Sequence, residues 1–318
     1  MNQPLMTHAT ATIEAGSKSF ATAAKLFDPQ TRRSALMLYA WCRHCDDVID
    51  GQELGFAAPV NIPEQPFPAP APVTTPELRL EELRQQTAQA FAGAPMSEPA
   101  FAAFQEVALA QGIPARLAFD HLEGYAMDVR EETYLTFDDT LRYCYHVAGV
   151  VGLMMAQVMG VRDEAVLDRA CDLGLAFQLT NIARDIVEDA HVGRCYVPLA
   201  WLAEENLTLE NYVDPSRRSE LARVAQRLIK EAEPYYHSAQ AGLHGLPLRS
   251  AWAIATARGV YREIGVKVRN AGAAAWQQRQ GTSKAEKIGL LIAGAGQAVA
   301  SRRAKASSRP ANLWQRPR

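Results

Sequence analysis

Asp46 and Asp50 in CRHCDDVIDG, and Asp185 and Asp189 in NIARDIVEDA, form two pairs of carboxylates, each pair four residues apart on an apolar background. Four residues turn an α-helix by about 400° and advance it about 6 Å, so each pair stands one above the other on a single face. Asn181 extends the second pair to an Asn-Asp-Asp ladder, and Gln178 stands a turn earlier at a similar angle. Like charges at this spacing cost an isolated helix about a few tenths of a kcal/mol, so helix stability does not account for them. A hard divalent cation does. Mg²⁺, or Mn²⁺ in its place, takes oxygen ligands and is commonly held by one or two carboxylates together with substrate phosphates. The competing reading, ordinary solvated acids near helix ends, fits one such pair better than two.

Cations surround both ladders. Lys18, Arg43, Arg184 and Arg194 fall within or near the acidic segments, as partners for phosphate oxygens. GRCYVP at Gly193 to Pro198 follows the second ladder directly and would fold back over the mouth with Arg194 and Tyr196. Other chemistries fit less well. Cys42 and Cys45 form one CxxC without a second pair for zinc, and lie inside a helical pattern. Glu188 to His191 is a single ExxH where a di-iron bundle needs two. No nucleophile elbow suggests acyl transfer.

The elements that must hold these groups read as helices. The 318 residues are 48% hydrophobic and carry no run of β-branched alternation, so the fold class expected is all-α. Asp28-Pro29 starts a helix that carries the first ladder and stops at Gly51. Further helical patterns cover 76–91, 98–111, 114–130, 137–160, 163–191, 216–241, 248–275 and 283–305, with no hairpin, βαβ unit or glycine-rich phosphate loop. Pro59 to Pro76 holds seven of the 18 prolines and reads as an exposed loop between helices, with a domain linker as the alternative. The expected organisation is an extension over 1–12, one catalytic domain over 13–300 and a basic tail over 301–318. Arg302 to Arg318 carries six basic residues and no acid, which predicts a tail that frays into solvent or touches anionic lipid.

The formal net charge of −2 predicts no nucleic-acid partner. Five scattered cysteines and a start without a signal-peptide pattern predict a reducing cytoplasm. Tyr143 to Val161 lacks Asp, Glu, Lys and Arg, but His146, Gln157 and three glycines make it the buried centre of a helical domain rather than a membrane span.

Four blocks, SKSF at Ser17 to Phe20, YAWCRHCDDVIDG at Tyr39 to Gly51, YCYHVAGVVG at Tyr143 to Gly152 and QLTNIARDIVEDAHVGRCYVP at Gln178 to Pro198, resemble those of the squalene and phytoene synthases. These trans-prenyltransferases join two isoprenoid diphosphates head to head, and the likeness is to the bacterial phytoene synthases in particular. It covers about Ile13 to Ala300, with Ala183 in place of a usual leucine and Ile186-Val187 in place of a common Val-Gly.

The resemblance implies a single-domain isoprenoid-synthase fold with both ladders facing a central cavity. Asp46, Asp50, Asn181, Asp185 and Asp189 carry over as metal ligands, and Lys18, Arg43, Gln178, Arg184, Arg194 and Tyr261 as substrate-binding groups. Arg279 is a further candidate. The implied reaction condenses two geranylgeranyl diphosphates through a cyclopropyl (prephytoene) diphosphate to phytoene, releasing two diphosphates, with no NADPH. In that reaction the uncharged segment walls the prenyl chains, and Tyr143 and Tyr145 offer π faces to the cation. The alternatives are a squalene-type or dehydrosqualene synthase of the same family and, from another class, a non-catalytic helical membrane-associated assembly factor. An insoluble product implies a peripheral contact with the inner membrane face. No oligomeric state is implied.

Overall fold

The computed structural model describes residues 3–16, 18–53, 56–57, 75–303 and 307–318. Among them run thirteen α-helices: α1 (Gln3–Gly16), α2 (Lys18–Ala24), α3 (Pro29–Asp50), α4 (Pro76–Phe91), α5 (Pro99–Gln111), α6 (Ala115–Val129), α7 (Phe137–Cys144), α8 (Val150–Val158), α9 (Glu164–His191), α10 (Leu199–Glu204), α11 (Arg218–Gly242), α12 (Leu248–Ala271) and α13 (Lys284–Ser301). The all-α expectation holds. One departure is a ladder of two two-residue strands, Gln52–Glu53 antiparallel to Phe56–Ala57, where no hairpin is expected. The expected Pro59–Pro76 loop lies outside the described residues, apart from Thr75 and Pro76, which cap and open α4.

The helix that carries the first ladder begins and ends for local reasons. Asp28 accepts the backbone N–H groups of Gln30 and Thr31, Pro29 supplies a preset φ, and Gly51 closes the helix at φ 64°, a left-handed conformation that favours glycine. α9 is the central rod, packed against α8, α11 and α12. It starts on the Asp163 cap and carries the second ladder near its far end. The uncharged segment forms α7, a π-turn over Tyr145–Gly149 and α8, and Leu153 and Met154 within it are almost wholly buried. No helix among the described residues is long and apolar enough to cross a membrane.

α8 and α9 meet backbone to backbone. A Cβ placed on Gly174 would lie 2.3 Å from Ala148 O, and one on Gly152 would lie 2.3 Å from Ala170 O, so only glycine permits this approach. α1 runs through the boundary expected at residue 12 and buries Ala9 and Ile13.

The basic tail does not fray. Residues 307–318 lie along α9, with Leu313 buried, Arg309 paired to Asp172, and Arg316 and Arg318 both paired to Glu164 and Asp168. Arg309, Arg316 and Arg318 are spent on carboxylates of the body, which overturns the expectation of a solvated tail over these residues.

Candidate active site

Seven α-helices, α3, α6, α7, α8, α9, α11 and α12, line a cavity of about 470 Å³. α3 contributes Leu38, Tyr39, Cys42, Arg43 and Asp46, and α6 contributes His121, Tyr125 and Asp128. α9 lines it with one face whose members recur at helical spacing from Val166 through Leu173 and Phe177 to Asn181. The walls are mainly apolar. Polar groups gather at one end.

That end joins the two ladders. Arg194, in the loop after α9, donates to Asp50 Oδ1 at 2.6 Å, tying the end of α3 to the end of α9 across 144 residues of sequence. Arg43 spans Asp46 at 2.9 Å and Asp47 at 2.8 Å. Arg184 Nε donates to Asp185 Oδ1 at 2.7 Å, and Arg279 Nη2 reaches Asp185 Oδ2 at 3.0 Å. Arginines therefore hold three of the four ladder aspartates. Among the described residues no three acidic, histidine or cysteine groups converge on one point.

The carboxylates differ in charge state. Asp189 is pushed up to about 7, first by burial and then by the charge of Asp185, with Arg194 opposing. Asp46 rises to about 6; its side chain is 41% exposed, but the exposure is into a mouth walled by protein, and that desolvation outweighs Arg43. Burial also pushes Asp185 up, yet its bonds to Arg184 and Arg279 win and hold it below the usual range. Of the four ladder aspartates, Asp189 is the one with no arginine bonded to it among the described residues. The buried Oδ1 of Asn181 has no hydrogen-bond partner either, although its Nδ2 donates to Gln178 Oε1 at 3.3 Å. An orphaned carbonyl oxygen beside crowded carboxylates is the donor set that a hard divalent cation takes.

Other expected residues divide. Gln178 and Tyr261 line the cavity, Tyr261 stacked on Phe177 with ring centroids 4.1 Å apart. The backbone of Lys18 opens α2, but its side chain lies outside the described residues. Tyr143 lines the cavity. Tyr145 does not: it is fully buried and donates to Asp120 Oδ2 at 2.9 Å, with Trp314 beside its ring. Two positions along a helix are about 200° apart, so the pair cannot share a face. The expected π contact of Tyr145 with a cation in the cavity is corrected accordingly.

Asp128 is the group that motif spacing misses. It lines the cavity, accepts from Tyr196 at 3.0 Å and from Tyr143 at 3.3 Å, and is pushed up to about 6 by burial against the pull of Arg194. Its acid at i+4, Glu132, lies past the end of α6 and pairs with Arg130 and Arg142, so the spacing builds no ladder here. His121, deeper in the wall, is pushed down to about 4 by burial and is therefore a neutral imidazole.

Residues 13–286 match the family model for squalene/phytoene synthase. The chain is 66% identical to a 15-cis-phytoene synthase of Pantoea ananas, with all of both chains covered. It is 50% identical to a 15-cis-phytoene synthase of a Paracoccus species, over 98% of each. Among solved structures it is similar to a dehydrosqualene synthase in complex with ligand, at a TM-score of 0.79 and 24% identity, covering 94% of this chain and 98% of that one.

Proposed function

The chain belongs to the squalene/phytoene synthase family, and we propose that its cavity condenses two geranylgeranyl diphosphates head to head into phytoene by way of a cyclopropyl diphosphate. It is a prenyltransferase of carotenoid biosynthesis, which sets aside the non-catalytic alternative. The observation that carries the assignment of the site is the Arg194–Asp50 bond, which joins both ladders at the polar end of one apolar cavity.

Mg²⁺ held by Asp46, Asp50, Asn181, Asp185 and Asp189 would supply the positive charge that lets an allylic diphosphate leave. Arg43, Arg184 and Arg194 bind the remaining phosphate oxygens, since each already points a guanidinium at the ladders. Lys18 and Gln178 complete the substrate-binding set. Val147, Val151, Met155 and Leu173 exclude water that would quench an allylic cation, and Tyr143 turns its ring toward it. Asp128 holds the hydroxyls of Tyr143 and Tyr196, fixing that ring. After the cyclopropyl diphosphate forms, a second ionisation, rearrangement and proton loss give phytoene and two diphosphates. Purified protein with Mg²⁺ and labelled geranylgeranyl diphosphate tests this. A hydrocarbon that appears only with added NADPH would favour a squalene-type end to the reaction, and equal product after chelation would remove the metal.

An insoluble product calls for a membrane nearby. Arg309, Arg316 and Arg318 of the tail are already paired, so the contact surface we assign is α13 instead. Ile288, Ile292 and Val299 stand 59%, 68% and 60% exposed on it, between Lys284 at one end and Arg303 at the other. An apolar face with flanking cations suits the interface of an anionic bilayer, here the inner face of the cell membrane.

A further inference from the structure

The end of the cavity opposite the aspartates holds a charged residue in an apolar wall. α9 lines the cavity from Asn181 at the polar end to Val166, a distance of about 22 Å at 1.5 Å per residue. α8 runs back along it and ends at Val158, so Met159 just past it, Val166, Arg169, Leu243 and Leu246 close the far end together. Arg169 is only 5% exposed.

Its head is held away from the apolar wall. Nη1 donates to Ser238 O at 3.0 Å, and Nη2 donates to the carbonyl of Ser307 in the C-terminal segment. Its stem lies against Gly242 of α11, where an added Cβ would sit 2.9 Å from Arg169 Cβ. The same segment is anchored behind it. Arg309 makes two bonds to the wholly buried Asp172, at 2.8 and 2.6 Å, and Ser238 Oγ donates to Asp172 at 2.5 Å. Arg309 also donates to Trp314 O at 2.7 Å, and the Trp314 N–H donates to the Tyr235 hydroxyl at 3.3 Å. Residues 307–318 thus strap the guanidinium so that only the aliphatic stem faces the cavity.

We propose that Arg169, locked by the C-terminal strap, is the floor of the prenyl cavity and sets the longest chain the enzyme accepts. This rests on the proposed function, in which the apolar cavity holds prenyl chains. An untethered arginine has a long, flexible side chain and would yield to a longer substrate. A tethered one presents three methylenes at a fixed depth. Arg309 touches no substrate and acts as a positioning residue.

The test compares kcat/KM, in the full-length protein, for geranylgeranyl diphosphate and for the homologue one isoprene unit longer. Arg169→Ala leaves Asp172 paired with Arg309 and is expected to raise the longer-to-normal ratio by about tenfold or more, the scale set by methylene-sized room in an apolar pocket. Met159→Ala opens the same floor without touching a charge and should move the ratio the same way. Arg169→Met refills the space and should return it toward wild type. Arg309→Ala should shift it in the direction of Arg169→Ala by a smaller factor. An unchanged ratio in both Arg169→Ala and Met159→Ala, whatever their melting temperatures, would overturn the floor. A shift in Arg169→Ala that Arg309→Ala does not share would overturn the strap. Wild-type protein that makes no phytoene would instead count against the proposed function.

Discussion

Gly174→Ala gives the sharpest test of how the cavity wall is built. The new methyl would lie 2.3 Å from Ala148 O, 2.6 Å from Ala148 C and 2.8 Å from Gly149 Cα, all of them backbone atoms. No side chain can rotate away, so the π-turn and α9 must part by about 1 Å to regain ordinary van der Waals distance. Overpacking of this kind costs about 1–3 kcal/mol, and a rigid backbone contact belongs at the upper end. The intrinsic preference of a helix for Ala over Gly returns just under ~1 kcal/mol. The net loss is then about 2 kcal/mol. At ~2.1 cal/mol/K per residue, the unfolding entropy of a chain of this length is roughly 0.7 kcal/mol/K, so the melting temperature should fall by about 3 °C. Gly289→Ala is the control: it is exposed on α13 with nothing within 4 Å of the added Cβ, and should gain about 1 °C. Calorimetry reads both. Because Val147 and Ala148 line the cavity beside this seam, turnover of Gly174→Ala should also drop. An unchanged or raised melting temperature in Gly174→Ala would refute the close-packed seam.

Asp50→Asn and Asp189→Asn should each lose roughly 100-fold or more in turnover with the helical circular dichroism intact, as expected when a group that stabilises developing charge is removed; near-normal turnover would show that the ladder in question holds no metal. Asp189 also makes a prediction about pH. Its folded-state pKa of about 7 exceeds the unfolded 3.8, so the folded chain keeps the extra proton and loses stability as pH rises from about 4 through 7. In metal-free protein Asp189→Asn should therefore be the more stable form at pH 8, by at most about 4 kcal/mol, and nearly equal to wild type at pH 4, with denaturant titration as the check. Ile292→Glu on the exposed face of α13 should abolish sedimentation with phosphatidylglycerol vesicles and leave the melting temperature within about 1 °C, whereas unchanged vesicle binding would clear that face of the role.

Much of this architecture is written locally. The Asp28 cap, the Gly51 stop and the i, i+4 aspartates need only their own helix to be understood, and all are visible in the chain. Asp128, Tyr145 and the tail were hidden because their meaning is tertiary. Asp128 gains its role from Tyr143, Tyr196 and Arg194, which come from other elements. The tail shows the limit of pattern best. Glu164, Asp168 and Asp172 repeat the four-residue acidic spacing at the other end of α9, yet they take up Arg309, Arg316 and Arg318. Spacing puts carboxylates on one face; what lies opposite decides whether they meet a metal or a guanidinium.

The internal ion pairs at the mouth also bear on the order of events when substrate arrives. Arg43 rests on Asp46 and Asp47, Arg194 on Asp50, and Arg184 on Asp185. On the proposed function, loading would be an exchange of counterions, in which each guanidinium would trade a carboxylate oxygen for a phosphate oxygen and the released carboxylates would be free to hold a metal ion. A divalent ion alone would have to evict an arginine into a site with no anion to receive it. A bare diphosphate would have to sit against uncompensated aspartates. On that reading the mouth would admit the two together more readily than either one, and its occupancy would follow the supply of prenyl diphosphate rather than the free divalent-ion level.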